Sequence, residues 1–271
     1  MRLSINHATH YQFSQPVGHG LQRLRLKPKS TQGQRVIEWQ MHLEGARREV
    51  EYEDQHHNHT MLISAEPGTS AIKVTCTGVV ETSDNAGMIG HHSGHMPRWA
   101  FLTQTPLTRP GAMMKALVSS LEADRSNKLA SLHALSRAVL AAVKYEIGHT
   151  SATTEAEEAM AAGHGVCQDH AHIFIGCARL LDIPARYVSG YLMMNDRIDQ
   201  EAGHGWVEAL IDDLGWVGFD VSNGISPDAR YVRVATGCDY REAAPITGIS
   251  YGAGETALAV SLAVEQQMVE Q

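Results

Sequence analysis

The stretch that decides the fold is Gly163-His164-Gly165-Val166-Cys167-Gln168-Asp169-His170-Ala171-His172. It predicts a glycine-containing loop that turns into a helix at Cys167. Apolar residues then recur at helical spacing, at Ala171, Phe174, Ile175, Ala178 and Leu181. Asp169 falls in the first turn, where a carboxylate suits the positive end of the helix dipole. Ile183-Pro184 ends the helix.

Cys167 is therefore predicted to lie at a helix N-terminus. The two glycines before it, Gly163 and Gly165, are expected to leave room for a substrate. A helix N-terminus favours the thiolate form of a cysteine, which is the nucleophile. The backbone N–H groups there can hydrogen-bond an oxyanion. Gln168 either donates a further bond to that oxyanion or is simply exposed in the first turn. The N–H of Cys167 is therefore the preferred donor.

A nucleophilic cysteine needs a base, and the base needs a group that orients it. Downstream, residues 204–211, 212–215 and 216–220 show the patterns of a strand, a tight turn and a second strand. His204 opens the first strand and Asp220 closes the second, so Asp220 can accept a hydrogen bond from the imidazole. Trp206 is predicted on the same strand face as His204, where core packing is the preferred role and shielding of the ring is the alternative.

Four blocks of sequence carry a family resemblance: residues 165–169, residues 183–191, His204-x-Trp206-Val207-Glu208 and Gly218-Phe219-Asp220. In this order they closely resemble bacterial transglutaminase-like proteins of the papain-like superfamily. The resemblance implies a catalytic triad of Cys167, His204 and Asp220. One departure is Gly205, where relatives often have alanine, and it is not expected to disturb the triad.

By this resemblance, the thiolate attacks an amide carbonyl, of a peptide bond or of a glutamine side chain, and forms an acyl-thioester. If water resolves the thioester, the protein is a peptidase or amidase, and if an amine does, it is a transglutaminase. Both outcomes use the same triad and stay open, with cleavage of a small peptide-like substrate preferred. The sequence lacks a calcium loop of the D-x-D-x-D-G type, so neither a metal nor another cofactor is expected.

The strand patterns and the resemblance together predict an α+β fold. Residues 1–85 show strand-like patterns at residues 3–7, 36–43 and 72–80. These patterns predict an N-terminal antiparallel β-sandwich. Residues 9–17 resemble the N-terminal β region of this bacterial subfamily. Residues 86–109, punctuated by glycine and proline, are predicted to be a linker. Residues 110–271 are predicted to form a papain-like, transglutaminase-like core with a C-terminal β extension, in which the helix that begins at the cysteine packs on an antiparallel sheet.

Helical patterns lie in the first part of this core. Residues 112–122 predict a short helix, and apolar positions from Leu129 to Val143 predict a longer one. By resemblance, residues 145–162 line the cleft in front of the cysteine. A last strand is predicted at residues 257–264, followed by a frayed end at residues 265–271.

Histidines are concentrated in two loops, as His56, His57 and His59 and as His91, His92 and His95. They suggest a metal site, but solvated loop histidines are the preferred interpretation. Three more flank Cys167, namely His164, His170 and His172. The last two are two residues apart and would point to different sides of a helix. This spacing argues against zinc, so a Cys/His zinc protein is the less favoured alternative to the enzyme. The other alternative is a catalytically inactive binding module, which would be expected to lose part of the triad.

Composition limits the class of protein and of partner. A chain with 43% hydrophobic and 19% charged residues is an ordinary globular protein. The net charge of −8 argues against nucleic acid, no stretch predicts a membrane span, and the first residues lack the apolar run of a signal peptide. A peptide or protein substrate with amide groups is the expected partner. Four cysteines without paired spacing fit the reducing cytoplasm, and three are predicted to be structural, Cys76, Cys177 and Cys238.

Overall fold

The computed structural model describes residues 1–121, 127–200 and 202–267. Helices α1 to α5 are Ala112–Ser120, Lys128–Ala142, Ala156–Ala162, Cys167–Leu180 and Tyr240–Ala243. Strands β1 to β7 are Arg2–Phe13, His19–Lys27, Gln34–Glu44, Ala46–Glu53, His59–Ala65, Ala71–Thr82 and Met88–Gly90. Strands β8 to β16 are Lys144–Tyr145, His164–Gly165, Ala185–Leu192, Asp199–Gln200, His204–Ile211, Gly215–Phe219, Tyr231–Gly237, Ile246–Tyr251 and Thr256–Gln266. These elements form an α+β fold, which confirms the predicted class.

Two antiparallel sheets form the N-terminal sandwich, in the strand orders β11-β16-β1-β6-β3 and β15-β2-β5-β4. Inward-facing residues alternate with outward-facing ones along β1, because side chains on a strand point to opposite faces in turn. The apolar residues between the sheets include Phe13, Leu24, Ile63, Val74 and Cys76, all of them buried. The predicted strands at residues 3–7, 36–43 and 72–80 lie in β1, β3 and β6.

The C-terminal β extension completes this sandwich. Strand β16 runs antiparallel to β1 from the pair Leu3–Gln266 to the pair Phe13–Thr256, and β15 pairs with β2. The predicted last strand lies within β16. The predicted frayed end is wrong at Glu265 and Gln266, because both are paired with β1; residues 268–271 of that prediction lie outside the described residues.

A third sheet, in the order β14-β10-β12-β13-β7, carries the core, and α4 packs against β10 and β12. The segment predicted as a linker contributes β7, which pairs with β13, and two 3₁₀ turns, Arg98–Leu102 and Pro106–Thr108. Helix α1 forms where a short helix was predicted, although Glu122 lies outside the described residues. Among the described residues, no helix combines the length and the hydropathy needed to cross a membrane.

Candidate active site

Cys167 is the first residue of α4 and follows Val166, whose backbone is extended. Asp169 closes the start of this helix, since its Oδ2 accepts hydrogen bonds from the Val166 N–H at 2.8 Å and from the Thr150 hydroxyl at 2.7 Å. A Cβ on Gly165 would lie 2.7 Å from the same oxygen. Position 165 therefore requires glycine, because a larger residue would collide with the Asp169 carboxylate. The space that the sequence suggested for a substrate at Gly165 is filled by this carboxylate.

His204 and Asp220 meet at the open end of the β12–β13 hairpin. The His204 Nε2 donates to Asp220 Oδ2 at 2.6 Å, and the two side chains are 10% and 1% exposed. The Cys167 thiol lies beside the His204 ring, close enough to raise the pKa of the imidazole. Since Nε2 is bonded to Asp220, Nδ1 is the ring nitrogen left for the thiol. The structure thus brings the three predicted triad residues together, from α4, β12 and the end of β13.

The Asp220 carboxylate is fully buried and has three further donors. Its Oδ2 accepts from the Tyr231 hydroxyl and from Asn223 Nδ2, both at 2.7 Å, and its Oδ1 accepts from the Asn223 N–H at 3.2 Å. Burial alone would raise the pKa of Asp220, but the bonds from His204, Asn223 and Tyr231 outweigh burial and lower it. Asp220 is therefore held as a carboxylate at neutral pH.

The imidazole of His204 is held in its charged form. Burial opposes protonation of the ring, but the hydrogen bond to Asp220 and the neighbouring Cys167 thiol, with the attraction of both groups for a positive charge, raise the pKa of His204 to about 10. An imidazolium beside a thiol is the arrangement that a thiolate nucleophile requires. The chemistry open to this site is therefore attack on an electron-poor carbon by sulfur.

Trp206 covers the imidazole. Its ring is 2% exposed and stacks on that of His204, with centroids 6.1 Å apart and planes 26° apart. Tyr231 meets the Trp206 ring edge-on at 5.4 Å, so one aromatic group both supports the tryptophan and bonds Asp220. Of the two alternatives for Trp206, shielding of the ring fits its position.

Gln168 places a free donor next to the nucleophile. Its Nε2 is buried, and no hydrogen-bond partner is found for it among the described residues. The side chain is half-buried, so the interpretation of Gln168 as an exposed first-turn residue does not hold. A buried N–H without a partner is costly, which makes this amide a candidate donor to an oxyanion.

Three tyrosines surround the thiol and were missed by sequence reasoning as site residues. Burial, followed by proximity to Cys167, raises the pKa of Tyr145, Tyr187 and Tyr240. Tyr145 begins the segment 145–162 that was predicted to line the cleft, so the sequence did contain a signal for this tyrosine. Tyr187 and Tyr240 come from β10 and α5, and nothing in their local sequence marks them. A Cβ on Gly205 would lie 2.0 Å from the Tyr187 hydroxyl oxygen, so this tyrosine accounts for the departure at 205.

A cavity of about 180 Å³ adjoins the site between the sandwich and the core. Gly203, which precedes His204, and Tyr240 line it from the core, and His7, Leu258 and Val260 line it from the sandwich. Most of its wall is aromatic or aliphatic. The cavity is therefore suited to a small apolar group, and the sandwich provides part of its wall.

The histidines that flank Cys167 have separate partners. His170 bonds the Ser222 hydroxyl at 2.8 Å and the Val143 carbonyl at 2.9 Å, while His172 Nε2 accepts from the Tyr240 N–H at 3.1 Å. His164 packs on the ring of His149, with centroids 4.3 Å apart. These rings face different groups and do not converge on Cys167 as zinc ligands would.

One group of potential metal ligands lies elsewhere, formed by His56, Cys238 and Glu242, whose ligand atoms are within 4.8 Å of one another. His56 Nε2 and Glu242 Oε2 are already bonded at 2.8 Å. The interpretation of His56 as a solvated loop residue is wrong, because its side chain is 1% exposed. His91 and His95 are exposed, as predicted for loop residues, whereas His57, His59 and His92 are half-buried.

The remaining cysteines are free and buried. Burial raises the pKa of Cys76, Cys177 and Cys238 to about 12, so their thiols stay protonated and inert. Cys167 is the more accessible of the four cysteines. This difference agrees with structural roles for the other three.

Two family models match the chain: Transglutaminase-like superfamily over residues 115–221, and Bacterial transglutaminase-like N-terminal region over residues 3–81. The chain therefore contains a transglutaminase-like core, preceded by a bacterial transglutaminase-like N-terminal region. The two matches fall on the triad-bearing core and on the N-terminal sandwich, in the order that the resemblance predicted. The recognition of a bacterial transglutaminase-like protein from its sequence blocks is thereby confirmed.

Relatives of this transglutaminase-like chain are bacterial. An uncharacterized protein of Mycobacterium leprae is 28% identical over 275 residues, which cover 96% of each chain. Uncharacterized proteins of Mycobacterium bovis and Mycobacterium tuberculosis are 36% identical over 124 residues, which cover 42% of this chain and 40% of theirs. A crystal structure from Cytophaga hutchinsonii, of a protein named provisionally as a cysteine protease, has a TM-score of 0.77 at 21% identity and covers 100% of this chain and 92% of its own. It shows that the fold is shared.

Proposed function

We propose that this transglutaminase-like protein is an enzyme that attacks amide carbonyls through Cys167 and passes through an acyl-thioester. The observation that carries the proposal is the His204 ring, which lies beside Cys167 and is hydrogen-bonded to the buried Asp220. A base next to a nucleophile and fixed by a third group is the arrangement that covalent catalysis requires.

In the first step, the Cys167 thiolate adds to the amide carbon and the carbonyl π electrons move to its oxygen. The backbone N–H of Cys167 is the primary donor to that oxyanion, and Gln168 Nε2 is a second. The C–N bond then breaks, and the leaving amine or ammonia takes a proton from the His204 imidazolium. Asp220 keeps the imidazole in the tautomer that can exchange this proton.

In the second step, the acyl group leaves the sulfur. His204, now neutral, takes a proton from water or from an amine, which adds to the thioester carbon and releases the Cys167 thiolate. We propose that water is the usual acceptor and that a small peptide-like molecule is the substrate. Support comes from the adjoining cavity, whose volume of about 180 Å³ fits one small apolar side chain.

The test is the rate at which Cys167 is alkylated by limiting iodoacetamide, followed by peptide mass spectrometry. Near neutral pH, Cys167 is expected to react faster than glutathione and Cys177 not at all, since Cys177 is fully buried. The His204→Ala variant should lose this advantage. If Cys167 reacts like glutathione and the variant changes nothing, the enzyme proposal fails and the fold serves as a binding module. With a positive result, peptides screened with and without added amines separate hydrolysis from transfer.

We also propose that the protein works in a reducing compartment such as the cytoplasm. All four cysteines are free, and a catalytic thiolate must stay reduced to act. Fractionation of the producing cells, with the protein detected by antibody, tests this location. Recovery in an oxidising compartment would contradict it.

A further inference from the structure

A second cavity, of about 580 Å³, lies between the N-terminal loops and the core sheet. Four histidines line it, His56, His57, His91 and His95. Three further basic residues line it as well, Lys29, Arg186 and Arg233. The remaining described residues of its wall include serine, threonine and glutamine, and none of them is acidic. This concentration of basic groups occurs on a chain with a net charge of −8.

One carboxylate lies beneath the two arginines. Glu208 is fully buried and accepts from Arg186 Nε at 2.7 Å and from Arg233 Nε at 2.6 Å. The Arg186 guanidinium also lies over the Trp216 ring, 3.8 Å from its centroid. Two guanidinium groups share a single carboxylate, so this cluster keeps one net positive charge, and its ten N–H donors exceed what one carboxylate accepts.

Lys29 adds an amine without a carboxylate bonded to it. Its Nζ donates to the His56 carbonyl at 2.9 Å and to Asn58 Oδ1 at 3.1 Å, both neutral acceptors. Burial and the charges of Arg233 and Arg186 lower the pKa of Lys29 to about 6, against the weaker pull of Glu208 and Asp54. Lys29 is thus held near neutrality first by its burial and then by the two arginines, and an anion in the cavity would favour its ammonium form.

We propose that this cavity binds a small polyanion of the phosphate type. Guanidinium and ammonium donors form their strongest hydrogen bonds with phosphate and carboxylate oxygens. The volume is that of a small-molecule site. The cavity is separate from the triad, because Glu208 lies four residues along β12 from His204, about 13 Å at the rise of a strand.

A metal ion fits this cavity less well than an anion. The rings of His57 and His95 are 5.2 Å apart, but His57 is bonded to Glu53 and His56 to Glu242, so the described histidines do not converge on one point. Two arginines in the wall would repel a cation. The same features favour an anion, which needs donors spread around it.

The test is titration of the full chain with inorganic pyrophosphate by calorimetry near neutral pH, at constant ionic strength and in two buffers of different ionisation enthalpy. We expect saturable binding with uptake of up to about one proton, since an anion beside Lys29 restores the ammonium. The Lys29→Gln variant should bind at least about tenfold more weakly, without proton uptake. The matched control is Lys73→Gln, an exposed lysine on β6 that pairs with Glu44 and should change neither quantity.

A second variant guards against misfolding of the first. His95 is exposed, so His95→Gln should keep the unfolding midpoint of the parent while it weakens pyrophosphate binding and leaves proton uptake in place. The proposal is overturned if pyrophosphate gives no saturation at millimolar concentration. It is equally overturned if both variants bind like the parent, or if zinc ions bind stoichiometrically in its place.

Discussion

His204 and Asp220 are diagonal neighbours across a hairpin: the register pairs Val207 with Phe219, and His204 Nε2 reaches Asp220 Oδ2 at 2.6 Å. The next pair along the ladder would place Trp206 opposite Asp220, which explains why the tryptophan ring lies against the imidazole. The hairpin therefore fixes the base, its orienting group and its cover in one local structure. Only the nucleophile comes from a separate element.

Replacing Asp220 by asparagine should stop the chemistry while the chain stays folded. Asp220 Oδ2 accepts from three donors, and an amide N–H₂ cannot accept from any of them. The imidazole would then lose the tautomer that faces the thiol. We expect Cys167 alkylation and turnover of a peptide amide to fall by about 10²-fold to 10⁴-fold. The matched control is Asp228→Asn, a half-buried carboxylate paired with Arg230, and equal losses in both variants would contradict the role of Asp220.

The stability that His204 contributes should depend on pH. The pKa of His204 in the folded chain is about 10, above its ordinary value of 6.5, so the contribution is complete below pH 6.5 and is lost as the pH rises to 10. The difference in unfolding free energy between the parent and His204→Gln should therefore shrink by a few kcal/mol over this window. Urea denaturation at a series of pH values measures it. His10→Gln, at an exposed histidine of β1, is the control, and a difference that grows toward pH 10 would refute the assignment.

An alanine at position 205 should destabilise the protein because of one hydroxyl group. Its Cβ would lie 2.0 Å from the Tyr187 oxygen and 2.8 Å from Tyr187 Cζ. We expect Gly205→Ala to cost about 1–3 kcal/mol of unfolding free energy, and the double variant with Tyr187→Phe to recover part of it. Gly18→Ala is the control, since its Cβ would meet nothing nearer than 3.5 Å. A double variant that shows no recovery would mean that the hydroxyl is not the obstacle.

Neutralising Glu208 should leave two buried guanidinium groups unpaired. We expect Glu208→Gln to lose about 3–5 kcal/mol in urea denaturation, because a buried charge cluster without its counter-ion is costly. The arginines lower the pKa of Glu208 to about 2, so its stabilisation is present above its ordinary value of 4.5 and is lost as the pH falls toward 2. Glu49→Gln removes an exposed partner of Arg47 and should change little. Similar midpoints for the two variants would disprove the role of the cluster.

Filling the smaller cavity should change which molecules reach Cys167. Leu258 lines that cavity from β16, so Leu258→Trp should occupy it. The rate of Cys167 alkylation by N-benzyl chloroacetamide, divided by the rate with chloroacetamide, should fall several-fold, while the rate with chloroacetamide alone stays the same. Ile249→Trp, exposed on β15 outside this cavity, is the control. An unchanged ratio would show that the cavity is not a subsite, even if Cys167 is reactive.

Local patterns were sufficient to predict that Cys167, His204 and Asp220 come together, although their catalytic role stays a proposal. Cys167 was marked by a glycine loop and a helix start, and the hairpin positions of His204 and Asp220 followed from alternation and a turn. Asp220 also closes the turn that follows it, since it accepts from the Asn223 N–H. The two roles of Asp220 are compatible, because one carboxylate has several acceptor positions.

Contacts between distant segments could not be predicted in this way. Tyr231 reaches Asp220 from β14, and Tyr187 reaches Gly205 from β10, without any pattern in the intervening sequence. The buried cluster of Arg186, Glu208 and Arg233 had a usable signal, which is a single charge inside each of three apolar strands. Its meaning depends on strand order, which only the folded sheet provides.

The pairing of β16 with β1, and of β15 with β2, has a consequence for the order of assembly. A chain leaves the ribosome N-terminus first, so β1 and β2 can pair early with β6 and β5 on one edge, but each has a second edge that must wait for β16 or β15. Strands β10, β12, β13 and β14, which carry the hairpin and its neighbours, lie close together in sequence and can pair before β15 and β16 are made. During synthesis, the nucleophile and its base can therefore be in place before the sandwich beside them is closed.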